Sequence, residues 1–231
     1  AAARIATAAF AVFGPPVAIA SADWVCEQLT GCTIAQARCL GGRDLEQALG
    51  LAPAERYAAL CAACHGADGR SEMQGVPSLA GQHSFYAITQ LFLFREGRRA
   101  NEAMTAVAKT MKDEDLRGFS DFIATLPALA PAAAAAPSDA ARMARGQALA
   151  QENRCVICHG ADLSGGQQVP RIAHQREEYL ALTLQEFRSG KRPGYTQAMG
   201  EAVGRMAPED LDTLAYYVAR LPTAPPKPGG K

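Results

Sequence analysis

Cys61-Ala62-Ala63-Cys64-His65 decides the fold of this chain, and Cys155-Val156-Ile157-Cys158-His159 repeats it. In each stretch, two thiols three positions apart can form thioethers to one haem, and the histidine that follows can ligate the iron. A lone CxxC pair would also fit a zinc half-site, a redox dithiol or a disulfide. The adjacent histidine and the second copy favour covalent haem attachment over those alternatives. The predicted attachment residues are Cys61, Cys64, Cys155 and Cys158, and the predicted iron ligands are His65 and His159.

Composition places the chain among globular proteins with no nucleic-acid partner. Its 231 residues are enough for two small domains, and 48% apolar with 20% charged residues is an ordinary globular composition. Lysine and arginine together number 23, as do aspartate and glutamate, so the formal net charge is zero. The sequence contains no run of basic residues that could contact successive phosphates of a nucleic acid. Aromatic residues are only 6% of the chain, so buried porphyrins would supply part of the apolar core.

Residues 1–22 have the layout of a secretory signal peptide. Arg4 precedes an apolar stretch, and Ala18-Ile19-Ala20 and Ala20-Ser21-Ala22 are candidate cleavage sites. Gly14-Pro15-Pro16 interrupts the apolar stretch too early for a comfortable membrane span. We therefore expect export to the periplasm. An uncleaved N-terminal anchor, which would associate the protein with the membrane, is the alternative.

Residues 23–52 form a predicted extension that carries the three cysteines outside the haem motifs. These are Cys26, Cys32 and Cys39. In an oxidising periplasm we expect one local disulfide, with the third thiol left over or bonded to a partner. A three-cysteine metal site is the alternative.

Three helices and a linker are predicted between the two motifs. The helices run over residues 54–63, 84–96 and 113–126, the first delivering the haem motif and the last opening with an acidic turn. The prolines at 127 and 137 enclose an alanine run without a polar face, which indicates a linker. Tyr57, Leu60 and Cys61 are predicted near one face of the first helix. Predicted buried positions of the other two helices are Tyr86, Ile88, Leu91, Phe92 or Phe94, Leu116, Phe119, Phe122 and Ile123.

The second half of the chain repeats the first at a spacing of 93 to 95 positions. A helical haem domain is therefore duplicated, and the predicted fold class is all-α with two tandem domains, each wrapped around one covalent haem. Corresponding pairs are Cys61 and Cys155, Pro77 and Pro170, Tyr86 and Tyr179, and Met104 and Met199. The predicted boundaries are domain 1 at 53–127, a Pro/Ala linker at 128–137, domain 2 at 138–222 and a flexible tail at 223–231.

Methionine is the predicted sixth ligand of each iron. Methionine opposite histidine raises the reduction potential, as an electron-transfer haem requires. Met104 and Met199 repeat, each in a predicted loop before the last helix of its half, where the side chain can fold back over the haem. Met111 and Met206 repeat as well, but they stand at the threshold of a helix, where methionine usually fills a core.

The remaining histidines are not equivalent to each other. His83 falls opposite Arg176 and His174 falls opposite Gly81 in the repeat. We therefore expect them at the surface or near haem propionates rather than on the iron.

These motifs together resemble the dihaem cytochrome c4 family over about residues 53–222. The resemblance rests on CxxCHG, the Pro77–Gln82 segment, a Gly-x-Arg turn and a methionine followed by a Glu-Asp-Leu helix. It implies two class I cytochrome c domains facing each other, with His/Met ligation at both irons. Departures are His174 in place of glycine, methionine instead of leucine at 111 and 206, and residues 23–52, which lie outside the resemblance.

The resemblance also suggests roles for side chains around each haem. Arg98 and Lys191, with the arginines that follow them, would neutralise haem propionates, and a solvated turn is the alternative. Tyr86 and Tyr179 would pack in the core or donate hydrogen bonds to propionates.

The predicted function is single-electron transfer between redox proteins of a respiratory chain in the periplasm, without catalysis by the chain itself. Expected partners are a terminal oxidase, a quinol-oxidising complex or a dehydrogenase. One alternative is an electron-transfer subunit tightly bound to a dehydrogenase or a larger membrane complex. A dihaem enzyme is a further alternative, which requires an open iron or a cysteine ligand.

Overall fold

The computed structural model describes residues 52–130, 138–192 and 197–222 as helices joined by loops. Within these ranges the extended pairing is one isolated bridge between Gly166 and Val169. The all-α prediction is therefore confirmed. The predicted segments 1–22 and 223–231, most of 23–52, and linker residues 131–137 lie outside the described residues.

The chain divides into two compact units, residues 1–56 and 57–231, and both haem motifs lie in the second. We call residues 57–130 the first half and 138–222 the second half. Helices α1–α5 are Pro53–Leu60, Ala62–His65, Ser84–Arg95, Glu102–Ala108 and Asp113–Thr125. Helices α6–α10 are Ala140–Glu152, Cys155–His159, Glu177–Arg188, Ala198–Val203 and Pro208–Ala219. None of the described helices is both long and apolar enough to cross a bilayer.

Two features of the predicted helices need correction. The helix predicted over 54–63 is interrupted at Cys61, where α1 ends and the single turn α2 begins. Met104 lies in α4 and Met199 in α9, so both methionines stand on short helices rather than in loops. The Asn101 side chain accepts a hydrogen bond from the Met104 backbone N–H at 2.9 Å, which caps α4 at its first turn.

Each half encloses its own apolar core. In α5, Leu116, Phe119 and Ile123 recur at helical spacing and are buried, as predicted. In α3 the choice between two phenylalanines is resolved, because Phe94 is buried whereas Phe92 is 41% exposed. The second half buries a corresponding set on α8 and α10, namely Leu180, Leu184, Leu211, Leu214 and Val218.

The helix before the second motif crosses the last helix at a glycine. A Cβ on Gly146 of α6 would lie 2.3 Å from the Tyr217 Cβ of α10 and 3.0 Å from the Thr213 carbonyl oxygen. Only a residue without a side chain allows this approach of α6 to α10. The approach places the end of α6, and with it the motif that follows, against the second core.

The two halves meet through hydrogen bonds that are reproduced when the halves are exchanged. Gln82 donates from Nε2 to the Arg171 carbonyl at 3.1 Å and accepts at Oε1 from the Arg171 N–H at 2.9 Å. Gln175 makes the same two bonds to the backbone of Ser78, at 2.8 and 2.9 Å. Such reciprocity is the mark of an isologous, two-fold contact. The duplicated halves therefore face each other about an approximate two-fold axis.

A pair of glycine substitutions tests the α6–α10 crossing. Gly146→Ala should lower the stability of the haem-loaded protein, because overpacking costs about 1–3 kcal/mol and exceeds the gain in helix propensity of about 1 kcal/mol. Gly118→Ala is the matched control, since the space around Gly118 in α5 is open. It should raise the melting temperature in calorimetry. An unchanged or raised melting temperature for Gly146→Ala would contradict the close crossing.

Candidate haem sites

The imidazole of His65 is held in one orientation by a single hydrogen bond. Its Nδ1 lies 2.8 Å from the Pro77 carbonyl oxygen. Because a carbonyl only accepts, the proton resides on Nδ1 and the lone pair of Nε2 is available to a metal. The side chain is buried, and this burial lowers the pKa of His65, so the ring is neutral, as a metal ligand must be.

His159 has the same environment in the second half. Its Nδ1 lies 3.0 Å from the Pro170 carbonyl oxygen, and burial again lowers its pKa. Pro77 and Pro170 are equivalent in the repeat, so the bond that orients the ring is duplicated with the motif. Within the described residues, no hydrogen bond is made by Nε2 of either ring.

None of the four motif cysteines forms a disulfide with another described residue. Cys64 and Cys158 are exposed, while Cys61 and Cys155 are half-buried at the start of their helical turns. Gly66 follows the first motif at φ +83°, and a Cβ there would lie 2.2 Å from the Arg70 carbonyl oxygen. The chain therefore turns back directly after the histidine, and Tyr57 stabilises the turn by donating to the Gly66 carbonyl at 3.0 Å.

This donor set fits a covalently bound haem at each motif. Two thiols and one neutral imidazole with a free Nε2 are the groups that c-type haem attachment uses. The fit rests on the duplicated orientation of His65 and His159, since a zinc half-site or a redox dithiol needs no such histidine.

The two pairs of methionines differ in burial. Met111 and Met206 are 7% and 6% exposed and belong to the cores of their halves. Met104 and Met199 are half-buried and pack at the core edges, on α4 and α9. Ligation of iron by Met104 and Met199 stays a prediction.

Both remaining histidines are engaged by backbone groups. His83 places Nε2 2.8 Å from the Ser164 carbonyl oxygen in the other half. His174 has Nδ1 and Nε2 each 2.9 Å from a carbonyl oxygen, of Leu129 and Leu221 respectively. These contacts give both residues structural roles where the halves join.

The predicted propionate partners lie at the surface, and their neighbours point inward. Arg98 and Lys191 are exposed, so a role at the propionates stays a prediction for them. Across the contact between the halves, Arg99 donates a hydrogen bond to the Tyr179 hydroxyl and Arg192 donates one to the Tyr86 hydroxyl. Two consecutive basic residues follow α3 and α8, and their order in the sequence does not show which of the two faces the other half. The second residue is arginine in both copies of the repeat, Arg99 and Arg192, and this identity is the sequence feature that could have pointed to them.

Family models match both halves of the chain. The model described as "Cytochrome c" matches residues 143–222, and the model described as "Cytochrome C oxidase, cbb3-type, subunit III" matches residues 48–123. A third model, "NifU-like N terminal domain", matches residues 1–67 and overlaps the first haem motif. That match covers the segments for which we predicted a signal peptide and an extension, most of which lie outside the described residues.

Relatives of similar length are electron-transfer proteins by name. Cytochrome c4 of Thiocapsa roseopersicina is 32% identical over 70% of this chain and 87% of its own length. A thiosulfate dehydrogenase electron acceptor of Stutzerimonas stutzeri is 33% identical over 80% and 88% respectively.

Solved structures show the same likeness. Reduced recombinant cytochrome c4 from Pseudomonas stutzeri superposes with a TM-score of 0.64 at 25% identity, covering 73% of this chain and 96% of that one. Thiosulfate dehydrogenase (TsdBA) from Marichromatium purpuratum gives 0.60 at 36% identity, covering 69% of this chain and 36% of that one.

Identical substitutions of two first-half methionines, Met104 and Met111, test the ligand assignment. Met104→Leu should abolish the methionine-to-iron charge-transfer band of one haem, because leucine cannot ligate iron. Met111→Leu should retain the band and cost less than about 1.5 kcal/mol of stability, since it conserves core volume. Absorption spectra of the oxidised variants measure both. An unchanged band in Met104→Leu would remove Met104 from the ligand set.

Proposed function

The chain belongs to the cytochrome c4 family of electron carriers, and we propose that it holds two haems c and passes single electrons between periplasmic redox partners. Haem c is attached at the cytochrome c domains, and the two CxxCH motifs support a count of two. Each haem iron, when bound, supplies a centre that gains or loses one electron. The proposed axial ligands are His65 with Met104 and His159 with Met199.

The duplicated imidazole–proline bond carries this proposal. In each half a buried neutral histidine keeps Nε2 available, and a half-buried methionine stands on a separate short helix. A histidine and a methionine from each half would hold the iron from both sides, so the iron would offer no site to a substrate. A carrier needs only this fixed coordination and an apolar surrounding that limits solvent reorganisation.

A dehydrogenase is the proposed electron donor. Two relatives are named thiosulfate dehydrogenase electron acceptors, at 33% and 30% identity, and the Marichromatium thiosulfate dehydrogenase contains a structurally similar part. The same relatives support the alternative of a subunit bound to its dehydrogenase. Location in the periplasm rests on the signal-like layout of residues 1–22.

Haem content and ligand binding test the carrier function. The purified protein should contain two covalent haems per chain, and the reduced form should bind carbon monoxide only slowly. Met104→Leu is the positive control, since it leaves one iron with an open position and should bind carbon monoxide rapidly. Rapid binding by the unchanged protein would instead favour a dihaem enzyme.

Reduction kinetics test the donor. A purified thiosulfate dehydrogenase supplied with thiosulfate should reduce the oxidised chain, at a rate proportional to the concentration of either protein. The absorbance of the reduced haems follows the reaction. A complex that remains stoichiometric through gel filtration would favour the bound subunit, and no reduction at any concentration would exclude this donor.

A further inference from the structure

One peptide group joins the first motif histidine to the opposite half of the chain. The carbonyl of the peptide between Pro77 and Ser78 accepts from His65 Nδ1 at 2.8 Å. The N–H of the same peptide donates to Gln175 Oε1, in the second half, at 2.9 Å. The hydrogen bond of the imidazole therefore continues through one planar amide to a side chain of the other half. We call this run of two hydrogen bonds and one peptide a relay.

The second half contains the same relay with the halves exchanged. The carbonyl of the peptide between Pro170 and Arg171 lies 3.0 Å from His159 Nδ1. The N–H of that peptide donates to Gln82 Oε1, in the first half, at 2.9 Å. Each relay therefore ends on a glutamine of the half to which its histidine does not belong.

The backbone partners fix the orientation of each glutamine amide. Gln175 Nε2 donates to the Ser78 carbonyl at 2.8 Å, so Oε1 is the atom that faces the Ser78 N–H. A flipped amide would set donor against donor and acceptor against acceptor. Gln175 and Gln82 are 7% and 8% exposed, so water competes little for either oxygen. The acceptor at the end of each relay is thus a buried amide oxygen in a fixed place.

Two serines hold the peptide of the first relay in place independently of the glutamine. Ser78 Oγ accepts from the Ser71 N–H at 3.1 Å, and Ser71 Oγ donates to the Cys64 carbonyl at 2.8 Å. The loop is thereby tied to the haem motif within its own half. Loss of the Gln175 side chain would remove the acceptor from the relay, while these bonds keep the peptide near His65.

Hydrogen bonds that share a peptide group strengthen each other. An acceptor on the N–H draws electron density toward the carbonyl oxygen, which strengthens the bond at the carbonyl by about 10–30%. A stronger acceptor at Nδ1–H makes the imidazole a better electron donor at Nε2. A better donor stabilises oxidised iron relative to reduced iron, and it therefore lowers the reduction potential.

We propose that Gln175 and Gln82 are positioning residues that set the donor strength of His65 and His159 from across the contact between the halves. The proposal rests on the carrier function above, in which both histidines ligate iron. Gln175 lowers the reduction potential of the haem at His65, and Gln82 lowers that of the haem at His159. Each half thus tunes the haem of the other, and both haems keep their potentials only while the halves stay in contact.

The imidazole protons test the relays directly. In the reduced, haem-loaded protein labelled with ¹⁵N, the Nδ1–H resonances of His65 and His159 can be assigned separately. Gln175→Leu removes one acceptor, so the His65 resonance should move upfield and exchange faster with deuterium, because its hydrogen bond weakens. The His159 resonance should stay in place. Gln82→Leu should give the reverse result, so each variant is the control of the other.

A conservative variant separates the relay from packing, and it keeps the test usable if Gln175→Leu does not fold. In Gln175→Glu the side chain keeps an oxygen against the Ser78 N–H in either protonation state. The His65 resonance should therefore stay at its original position or move downfield. A contact that served packing alone would give Gln175→Glu and Gln175→Leu shifts in the same direction, which would overturn the relay.

A neighbouring substitution controls for the loss of a contact between the halves. His83→Leu removes the hydrogen bond to the Ser164 carbonyl, next to Gln82 in the chain, and leaves both relay peptides with their acceptors. Both imidazole resonances should stay in place. A shift as large as that of Gln82→Leu would show that any loosening of the contact moves the imidazoles, and it would overturn the proposal.

Redox titrations measure the consequence for electron transfer. Gln175→Leu should raise the reduction potential of the haem at His65 and leave that of the haem at His159 unchanged, whereas Gln175→Glu should not raise either potential. Loss of each imidazole resonance from the diamagnetic spectrum during oxidation assigns each one-electron step to its haem. Equal shifts of both steps in Gln175→Leu would contradict the cross-connection.

Failure of the relays is distinguishable from failure of the carrier function. A purified chain without two covalent haems would defeat the carrier function. Two haems with two one-electron steps, together with unmoved imidazole resonances in Gln175→Leu and Gln82→Leu, would leave the carrier function standing and remove the glutamines from it.

Discussion

The structure depends on the hydrogen bond that fixes the proton of each motif histidine. An imidazole has one proton when neutral, and it must reside on Nδ1 for Nε2 to face a metal. The Pro77 and Pro170 carbonyls meet that requirement, at 2.8 and 3.0 Å. A proline carbonyl twelve or eleven positions beyond the histidine can return to it only if the chain turns sharply after the motif. The left-handed glycine at 66 or 160 provides that turn.

The same loops bring the two halves together. Pro77 is followed by Ser78, whose backbone bonds to Gln175, and Pro170 is followed by Arg171, whose backbone bonds to Gln82. The segment that orients each histidine is therefore also the segment to which the other half forms hydrogen bonds. Displacement at this contact would be transmitted to the carbonyl that orients the imidazole. Because the contact uses backbone groups, it tolerates serine in one half and arginine in the other.

Local patterns in the sequence were enough for the fold class, the haem motifs and the division between core and edge methionines. Each of these depends on residue spacing within a few turns of chain. The sequence could not show that Arg99 rather than Arg98 faces the other half, because the orientation of these residues depends on the angle at which the chain leaves α3. Short helices around Met104 and Met199 were missed for a related reason. Segments of six or seven residues are marginal alone and form because they pack against a core.

The positions where the repeat diverges show what the duplication made possible. At residue 81 a glycine adopts φ +67°, and a Cβ there would lie 2.6 Å from the Ala128 Cα, so no side chain fits. The equivalent residue, His174, keeps the left-handed conformation at φ +60° and uses its ring to contact the Leu129 and Leu221 carbonyls. Leu129 follows the last helix of the first half, and Leu221 follows that of the second. Departure from symmetry at His174 therefore joins the segments that follow α5 and α10 through one imidazole.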